Sequence, residues 1–256
     1  MNKQFSFIFH GPYRTEHLQM IEDCKKYGEI ILCTDKKYIS DIEKNISFYD
    51  KICLFDSETI DEIYNYQNMF RHARSVNEGL KLTDGKYCIK IRSNHCFSNL
   101  KYIINKILTN DKDKFICDNL TINPIMPYHL SDSIIGGTKE TMRGIYTTLI
   151  NSLLNNDFIY EGIDIRIRAE VAFFCAYLKY KKITIQNNYS AFFVDIDTDN
   201  KVYYFPMNSN YIKFLDDNAD LIDVKNLSPF NINFNYGKIN INETYSKLTD
   251  MKPNWC

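Results

Sequence analysis

The feature that most constrains the fold is a β-α-β pattern in the first 35 residues. Residues 5–10 form an apolar run, FSFIFH, that ends in a Gly-Pro turn. Apolar residues then recur at helical spacing, which predicts a helix from Thr15, its N-cap, to about residue 27. A second apolar run at residues 29–34 follows at once. This succession favours a parallel sheet.

The remainder of the chain continues the same alternation. Gly79 lies inside a predicted helix, where close packing explains a glycine, and Gly85 after that helix predicts a left-handed turn. We expect an α/β protein whose mostly parallel central sheet is flanked by helices, with one domain at 1–200 and an extension at 201–256 packed on it. The predicted strands are 51–55, 87–91, 113–121, 134–137 and 183–194, and the predicted helices are 66–82, 99–108, 138–154 and 164–181.

Composition excludes several classes of protein. The net charge of −1 argues against a nucleic-acid partner, whose binding would depend on phosphate neutralisation. None of the eight cysteines forms a C-x-x-C pair, so a zinc ribbon is not expected. The start of the chain lacks a long apolar segment, which favours the cytoplasm. No apolar run reaches the roughly 20 residues that span a bilayer, so we expect at most peripheral membrane association.

Three strand ends carry the polar residues that a ligand would meet. In an open α/β sheet, ligands bind beyond the carboxyl ends of the strands. The three ends are His10-Gly11-Pro12, Thr34-Asp35, and Arg92-Ser93-Asn94-His95. Although they are far apart in sequence, this fold would bring them to one edge of the sheet.

The predicted helix before Arg92 has a polar face. Asn68, Arg71, His72 and Ser75 share that face at spacings of three and four residues. Such a face is commonly only solvated. Because this helix leads directly into the strand that ends at Arg92, its arginine is also placed to bind a phosphate bidentately.

The order of these motifs resembles the WavE-type family of bacterial glycosyltransferases. The resemblance rests on N-x-x-R-x-x-x-S-x-x-x-G-L from Asn68, K-Y-x-x-K-x-R-S from Lys86, and Tyr128-His-Leu-Ser-Asp132 with the later Gly136-Gly137. The opening strand and its turn are also similar, and the likeness covers roughly residues 5–180. That family is associated with synthesis of the lipopolysaccharide core and other surface polysaccharides.

The resemblance implies a fold, an activity and a set of ligands. The fold would be the GT-A-like, nucleotide-diphospho-sugar-binding kind, and the activity would be sugar transfer from a nucleotide-sugar donor to a glycan or lipid-linked glycan acceptor. At Asn94 the family has an acidic residue, so a Mn²⁺ or Mg²⁺ ion is implied there, although Asn lacks the charge that holds such ions firmly. His10 and His72 stand where the family has Gln. The implied donor-binding residues are Gly11, Asn68, Arg71, Lys90, Arg92 and Ser93, and the basic ones could neutralise the diphosphate without a metal.

Two carboxylates are candidates for the base that deprotonates an acceptor hydroxyl. Asp132 precedes an apolar strand, and the alternative interpretation is that it is an ordinary turn aspartate without a catalytic role. Glu170 begins an apolar helical run, where a desolvated carboxylate would have a raised pKa, and its alternative is an ion pair with Arg166 or Arg168.

One other function remains open, and another is disfavoured by the sequence. A protein that keeps the fold but has lost its acidic motif would bind a nucleotide-sugar or a glycan without catalysis. A nucleotidyltransferase would require a Gly-rich phosphate loop, which Gly11-Pro12-Tyr13-Arg14 does not supply.

Overall fold

The fold is a mixed α/β structure built on one large sheet. The computed structural model describes residues 4–56, 68–94, 100–109, 115–117, 134–155, 157, 159–160, 163–164, 169–182 and 222–224. In these residues a seven-stranded sheet has the order β3-β2-β1-β4-β6-β5-β9. All neighbouring strands are parallel except β6, which runs antiparallel to β4 and β5. The predicted α/β fold with a mostly parallel central sheet is confirmed.

The described residues contain most of the predicted strands and helices, together with several short elements that the sequence pattern does not predict. The strands are β1 Phe5–His10, β2 Gly28–Asp35, β3 Lys51–Phe55, β4 Tyr87–Arg92, β5 Phe115–Cys117, β6 Ile134–Thr138, β7 Ile159–Tyr160, β8 Ile163–Asp164 and β9 Ile222–Val224. The helices are α1 Leu18–Lys25, α2 Ile39–Glu43, α3 Met69–Leu82, α4 Leu100–Thr109, α5 Lys139–Leu154 and α6 Ala169–Tyr180.

Both faces of the sheet are covered, because successive side chains of a strand point to opposite faces. Ile8 of β1 packs in the cluster formed with α3, α5 and α6, whereas its neighbours Phe7 and Phe9 pack in the cluster formed with α1 and α4. Every residue of β1 and β2 is buried. Continuous apolar runs of this kind are typical of parallel strands that are covered on both sides.

Gly79 confirms the expected close packing. A Cβ atom at this position would lie 2.5 Å from Sγ of Cys33 and 2.9 Å from a methyl carbon of Ile8. Helix α3 therefore approaches the sheet more closely at Gly79 than any larger residue would allow.

The predicted left-handed turn at Gly85 is wrong. Of the glycines that the structure describes, only Gly11 has a positive φ, at 114°. Gly85 is required for a different reason: a Cβ atom there would lie 2.6 Å from the carbonyl carbon of Phe5 and 2.8 Å from the backbone nitrogen of Ser6. It allows the chain entering β4 to pass directly over the start of β1.

Two predicted helix starts are also wrong. Helix α1 begins at Leu18, and its N-cap is His17 rather than Thr15. The carbonyl of Thr15 accepts a hydrogen bond from the backbone of Leu18 in a turn that precedes the helix. The helix expected from Asp164 begins at Ala169, because residues 163–164 pair with 159–160 in a small antiparallel sheet.

The strand expected at 183–194 lies outside the described residues. So does most of the proposed extension, of which residues 222–224 form the edge strand β9. None of the described helices combines the length and the apolar character needed to cross a bilayer.

Candidate functional site

The direction of the chain across the sheet changes between β1 and β4. From β1 the chain moves outward to β2 and then β3, and it later returns to place β4 on the other side of β1. The four strands are parallel, and His10 at the end of β1 is level with Arg92 at the end of β4. A crevice beyond the carboxyl ends of such strands is the usual ligand site of an open α/β sheet.

Alternation along the strands brings particular side chains to this crevice. Ile8 and Cys33 point to the face covered by α3. His10 and Asp35 each lie two residues further on, so they point to the same face at the sheet edge. Arg92 is level with His10, and Phe55 is level with Asp35. Four strand ends thus contribute one side chain each to the same side of the sheet.

A cavity of about 350 Å³ occupies this position. Binding sites for small organic ligands start at about this volume. Its walls come from the ends of β1 to β4 and from the beginning of α3. The lining residues are His10, Gly11, Pro12, Arg14, Asp35, Lys37, Tyr38, Phe55, Asn68, Met69, Arg71, His72, Ser75, Arg92 and Asn94.

The turn at Gly11 forms the floor between β1 and its two neighbours. Its backbone nitrogen donates to the carbonyl of Cys33 (3.2 Å), and its carbonyl accepts from the hydroxyl of Thr34 (2.7 Å). On the other side, the Ser93 hydroxyl donates to the carbonyl of Pro12 (2.5 Å). A Cβ atom at Gly11 would lie 3.1 Å from that hydroxyl oxygen, and the φ of 114° is itself unfavourable for other residues. Gly11 and Ser93 therefore shape the cavity through the backbone.

The first turn of α3 carries Arg71 into the cavity wall. The N-cap of this helix, Asn68, has a left-handed conformation with φ 63°, which asparagine tolerates better than most residues. Its side-chain oxygen accepts a hydrogen bond of 3.1 Å from a guanidinium nitrogen of Arg71. Asn68 thus orients Arg71, as the shared helix face suggested.

Positive charge dominates the described lining. Arg71 and Arg92 are half-buried in the walls, while Arg14 and Lys37 are exposed at the rim. Asp35 is the one carboxylate in this lining, and it also accepts a hydrogen bond from the backbone of Lys37 (2.9 Å). The amino end of α3 adds the positive end of its dipole. Although the whole chain has a net charge of −1, this cavity favours an anion.

His17 supports the turn that follows β4 from behind. Its Nδ1 lies 3.1 Å from the carbonyl oxygen of Ser93, and its Nε2 lies 2.9 Å from the hydroxyl of Tyr49. Since a carbonyl can only accept, Nδ1 carries the proton and Nε2 accepts from the tyrosine. Burial lowers the pKa of His17 and outweighs the Ser93 hydrogen bond, which would raise it. A neutral, buried imidazole therefore fixes the position of this turn.

The structure separates the predicted donor-binding residues into three kinds. Gly11, Asn68, Arg71 and Arg92 line the cavity, as does Asn94. Ser93 is buried and acts on the cavity wall through its hydrogen bond to Pro12. Lys90 does not line the cavity and is completely buried, because its neighbours in the sheet, Ile8 and Ile135, belong to the core under α3 and α5.

The two candidate bases cannot be placed against this cavity. Asp132 lies outside the described residues, and so does His95. The backbone of Glu170 belongs to α6, but its side chain also lies outside what is described. Their catalytic role therefore stays a prediction.

Five lining residues are not among those predicted from the sequence, and one of them is Met69, the first residue of α3. Arg14 and Lys37 each follow a strand by only a few residues, so their positions just beyond strand ends were a usable signal. Tyr38 lies in a short helical turn after β2, and Phe55 is the last residue of β3. The end of the predicted strand 51–55 was a usable signal for Phe55, whereas nothing in the pattern around Tyr38 distinguishes it from an ordinary core residue.

The described lining does not fit a divalent cation. Such ions are held by several oxygen ligands, usually including carboxylates. Here the exposed Asn94 shares the cavity with one carboxylate and four cationic side chains. No group of three or more His, Cys, Asp or Glu side chains in the described part of the chain is arranged to hold a metal. We therefore assign no chemical step to Mn²⁺ or Mg²⁺.

This chain is similar to solved structures but matches no known family. No family model and no curated protein matches this chain. One matching solved structure is 4-diphosphocytidyl-2C-methyl-D-erythritol synthase from Anaerococcus prevotii, with 16% identity and a TM-score of 0.41 over 70% of this chain and 100% of that one. Another is a TarS fragment from S. aureus, with 14% identity and a TM-score of 0.40 over 68% of this chain. The match spans 55% of that fragment.

Proposed function

We propose that this protein is a glycosyltransferase. It would take a sugar from a nucleotide-diphospho-sugar and transfer it to lipopolysaccharide or another surface glycan. The single observation that carries the proposal is the basic cavity at the point where the sheet changes direction, with Arg71 and Arg92 in its walls. The resemblance of the motifs to the WavE-type family supports the choice of donor and acceptor.

The chemistry requires a cavity that stabilises a leaving diphosphate. The bond between the sugar carbon and the diphosphate oxygen breaks, a bond from that carbon to the acceptor oxygen forms, and the nucleoside diphosphate departs with extra negative charge. Two half-buried guanidinium groups, already in place before the reaction, stabilise that charge without rearrangement. Arginine suits this role because it offers parallel donors to phosphate oxygens.

The acceptor hydroxyl must lose a proton during the transfer. We assign that proton to Asp132 or Glu170, the two carboxylates that the sequence nominates. Replacing each by its amide would separate the two, because only loss of the true base reduces turnover while leaving donor binding intact.

Donor binding tests the proposal directly. A panel of nucleotide-diphospho-sugars is screened by thermal shift, and the hit is titrated by calorimetry against Arg92→Ala and the control Arg143→Ala. A specific donor raises Tm by mass action. Loss of a charge-assisted phosphate contact should weaken binding about 10- to 100-fold in Arg92→Ala. Arg143 is exposed on α5 and does not line the cavity, so its variant should bind normally.

Two results would contradict this assignment. If no nucleotide-sugar changes Tm, the proposed donor class is wrong. If Arg92→Ala and Arg143→Ala bind a donor equally well, the donor uses some other part of the molecule.

A second function, a binding protein without catalysis, is favoured by Asn94. This residue lines the cavity at the position where the resembling family has an acidic residue. Saturable donor binding without transfer or hydrolysis, and without gain in Asn94→Asp, would support the binding protein. Turnover by the native chain would exclude it.

A further inference from the structure

Two histidines stack on each other in the cavity wall. The ring of His10, at the end of β1, lies 4.3 Å from the ring of His72 on α3, with an angle of 13° between their planes. The His10 side chain is buried, while His72 is half-buried and has Tyr146 of α5 6.2 Å away. Both histidines line the cavity. The pair is thus held by three elements of the fold and opens to the space that a ligand would occupy.

The pair joins residues that are distant in the sequence. His10 and His72 are 62 positions apart but in contact in the structure. Glutamine can hydrogen-bond but cannot take a proton near neutral pH. Imidazole is the side chain whose charge ordinarily changes between pH 5 and 8.

The surroundings of the pair disfavour two protons in the empty cavity. Two imidazolium rings stacked at 4.3 Å would repel each other, and nearby guanidinium groups would add to the repulsion. A phosphate group would reverse that balance by adding negative charge. The charged and titratable groups around the pair are Cys33 and Asp35 on β2, Lys90 and Arg92 on β4, Arg71 on α3, Tyr146 on α5, and Arg14 and Lys37 at the rim.

We infer that the His10–His72 pair takes up a proton when a phosphate or diphosphate group enters the cavity, so that anion affinity rises as the pH falls through the neutral range. The inference rests on the proposed function, since it assigns the diphosphate of the donor to this cavity. The proton comes from solvent and forms one N–H bond on an imidazole. The resulting imidazolium is a charged hydrogen-bond donor beside the arginines, and it returns the proton when the nucleoside diphosphate leaves.

Calorimetry with inorganic pyrophosphate measures this uptake. Titrations at pH 7 in buffers of different ionisation enthalpy give the number of protons bound with the ligand. The native chain should take up more protons than the double variant His10→Gln/His72→Gln, by at most about one proton. Because pyrophosphate itself titrates near neutral pH, the uptake by the histidines is measured as the difference in the number of protons bound by the native chain and by the double variant. Over the same range, the pH dependence of Kd should become flatter in the double variant.

Proton NMR of the native chain provides an independent measurement, which stands even if the double variant folds poorly. The ring protons of His10 and His72, assigned with the single Gln variants, are titrated with and without pyrophosphate. The titration midpoint of one ring should rise when the ligand is bound.

The outcomes separate this inference from the proposed function. If pyrophosphate binds but neither ring midpoint moves, or if the double variant takes up as many protons as the native chain, the inference is overturned while the proposed function stands. If pyrophosphate does not bind to the native chain, both are overturned.

Discussion

Charged side chains are arranged differently at the two edges of the sheet. These are the amino edge, where β1 to β4 begin, and the carboxyl edge, where the cavity lies. At the amino edge, the carboxylate of Glu29 accepts from the Ser6 hydroxyl (2.5 Å), the ammonium of Lys51 (2.8 Å) and the backbone of Asp84 (2.5 Å). The Ser6 hydroxyl in turn accepts from the backbone of Gly85 (2.9 Å). These groups satisfy one another within the protein.

At the carboxyl edge the described lining has an excess of positive charge. Four cationic side chains and one carboxylate share the cavity. The charges of the amino edge are therefore paired within the protein, whereas the positive charge of the carboxyl edge favours the binding of an anion. Polar side chains at strand ends therefore have two uses: at the amino edge they bind one another, and at the carboxyl edge they line a cavity with an excess of positive charge.

The largest effect we expect comes from removing the centre of the amino edge. Glu29→Ala would leave the buried Ser6 hydroxyl and the partly buried Asp84 amide without their acceptor, and should lower the free energy of unfolding by about 3 kcal/mol. Chemical denaturation measures this loss, with Glu22→Ala on the exposed face of α1 as control. The pyrophosphate Kd of the folded variant should stay unchanged. A variant as stable as the control would show that the Glu29 contacts contribute little.

A smaller effect, on anion binding and not on stability, is expected at the carboxyl edge. Arg71→Ala should weaken pyrophosphate binding about tenfold, which corresponds to about 1.4 kcal/mol, with little change in stability. Arg74 lies on the same helix but is exposed and does not line the cavity, so Arg74→Ala is the matched control. Equal Kd values for the two variants would contradict the distinction between the edges. A loss of stability in Arg71→Ala as large as that of Glu29→Ala would also contradict it.

The predictable part of the site is the part that depends on strand ends. If the apolar runs form parallel strands, His10, Asp35 and Arg92 must meet at one edge. Helical spacing added Asn68 and Arg71. These inferences need only the periods of two and 3.6 residues, which the sequence displays directly.

The remainder depends on packing between distant elements. Lys90 has the same alternation as Arg92 and is only two residues away, yet α3 and α5 cover it, and their positions cannot be derived from the pattern of one strand. The Glu29 cluster joins residues up to 79 positions apart, such as Ser6 and Gly85. The stacking of His10 on His72 likewise follows from how closely α3 approaches the sheet, which Gly79 permits.

The two edges should also respond to acid at different pH values. Because burial lowers the pKa of His17, the unfolded chain binds more protons than the folded one below about pH 6.5, and the stability contributed by neutral His17 is lost as the pH falls from there. For Glu29, burial would raise the pKa, but the hydrogen bonds from Lys51, Ser6 and the Asp84 backbone together hold it below its usual value. Its contribution is present above about pH 4.3 and is lost only as the pH falls through the lowered pKa.

Hydrogen exchange can resolve this smallest of the expected effects. The amide of Ser93 donates to the carbonyl of His10 at the carboxyl edge, and the amide of Gly85 donates to Ser6 at the amino edge. Between pH 7 and 5, protection of the Ser93 amide, corrected for the intrinsic exchange rate, should decrease more than that of Gly85. His17→Gln retains a donor and an acceptor but does not titrate, so it should remove the difference. If both amides lose protection together in the native chain, acid destabilises the sheet as one unit, and His17 is not a separate support of the carboxyl edge.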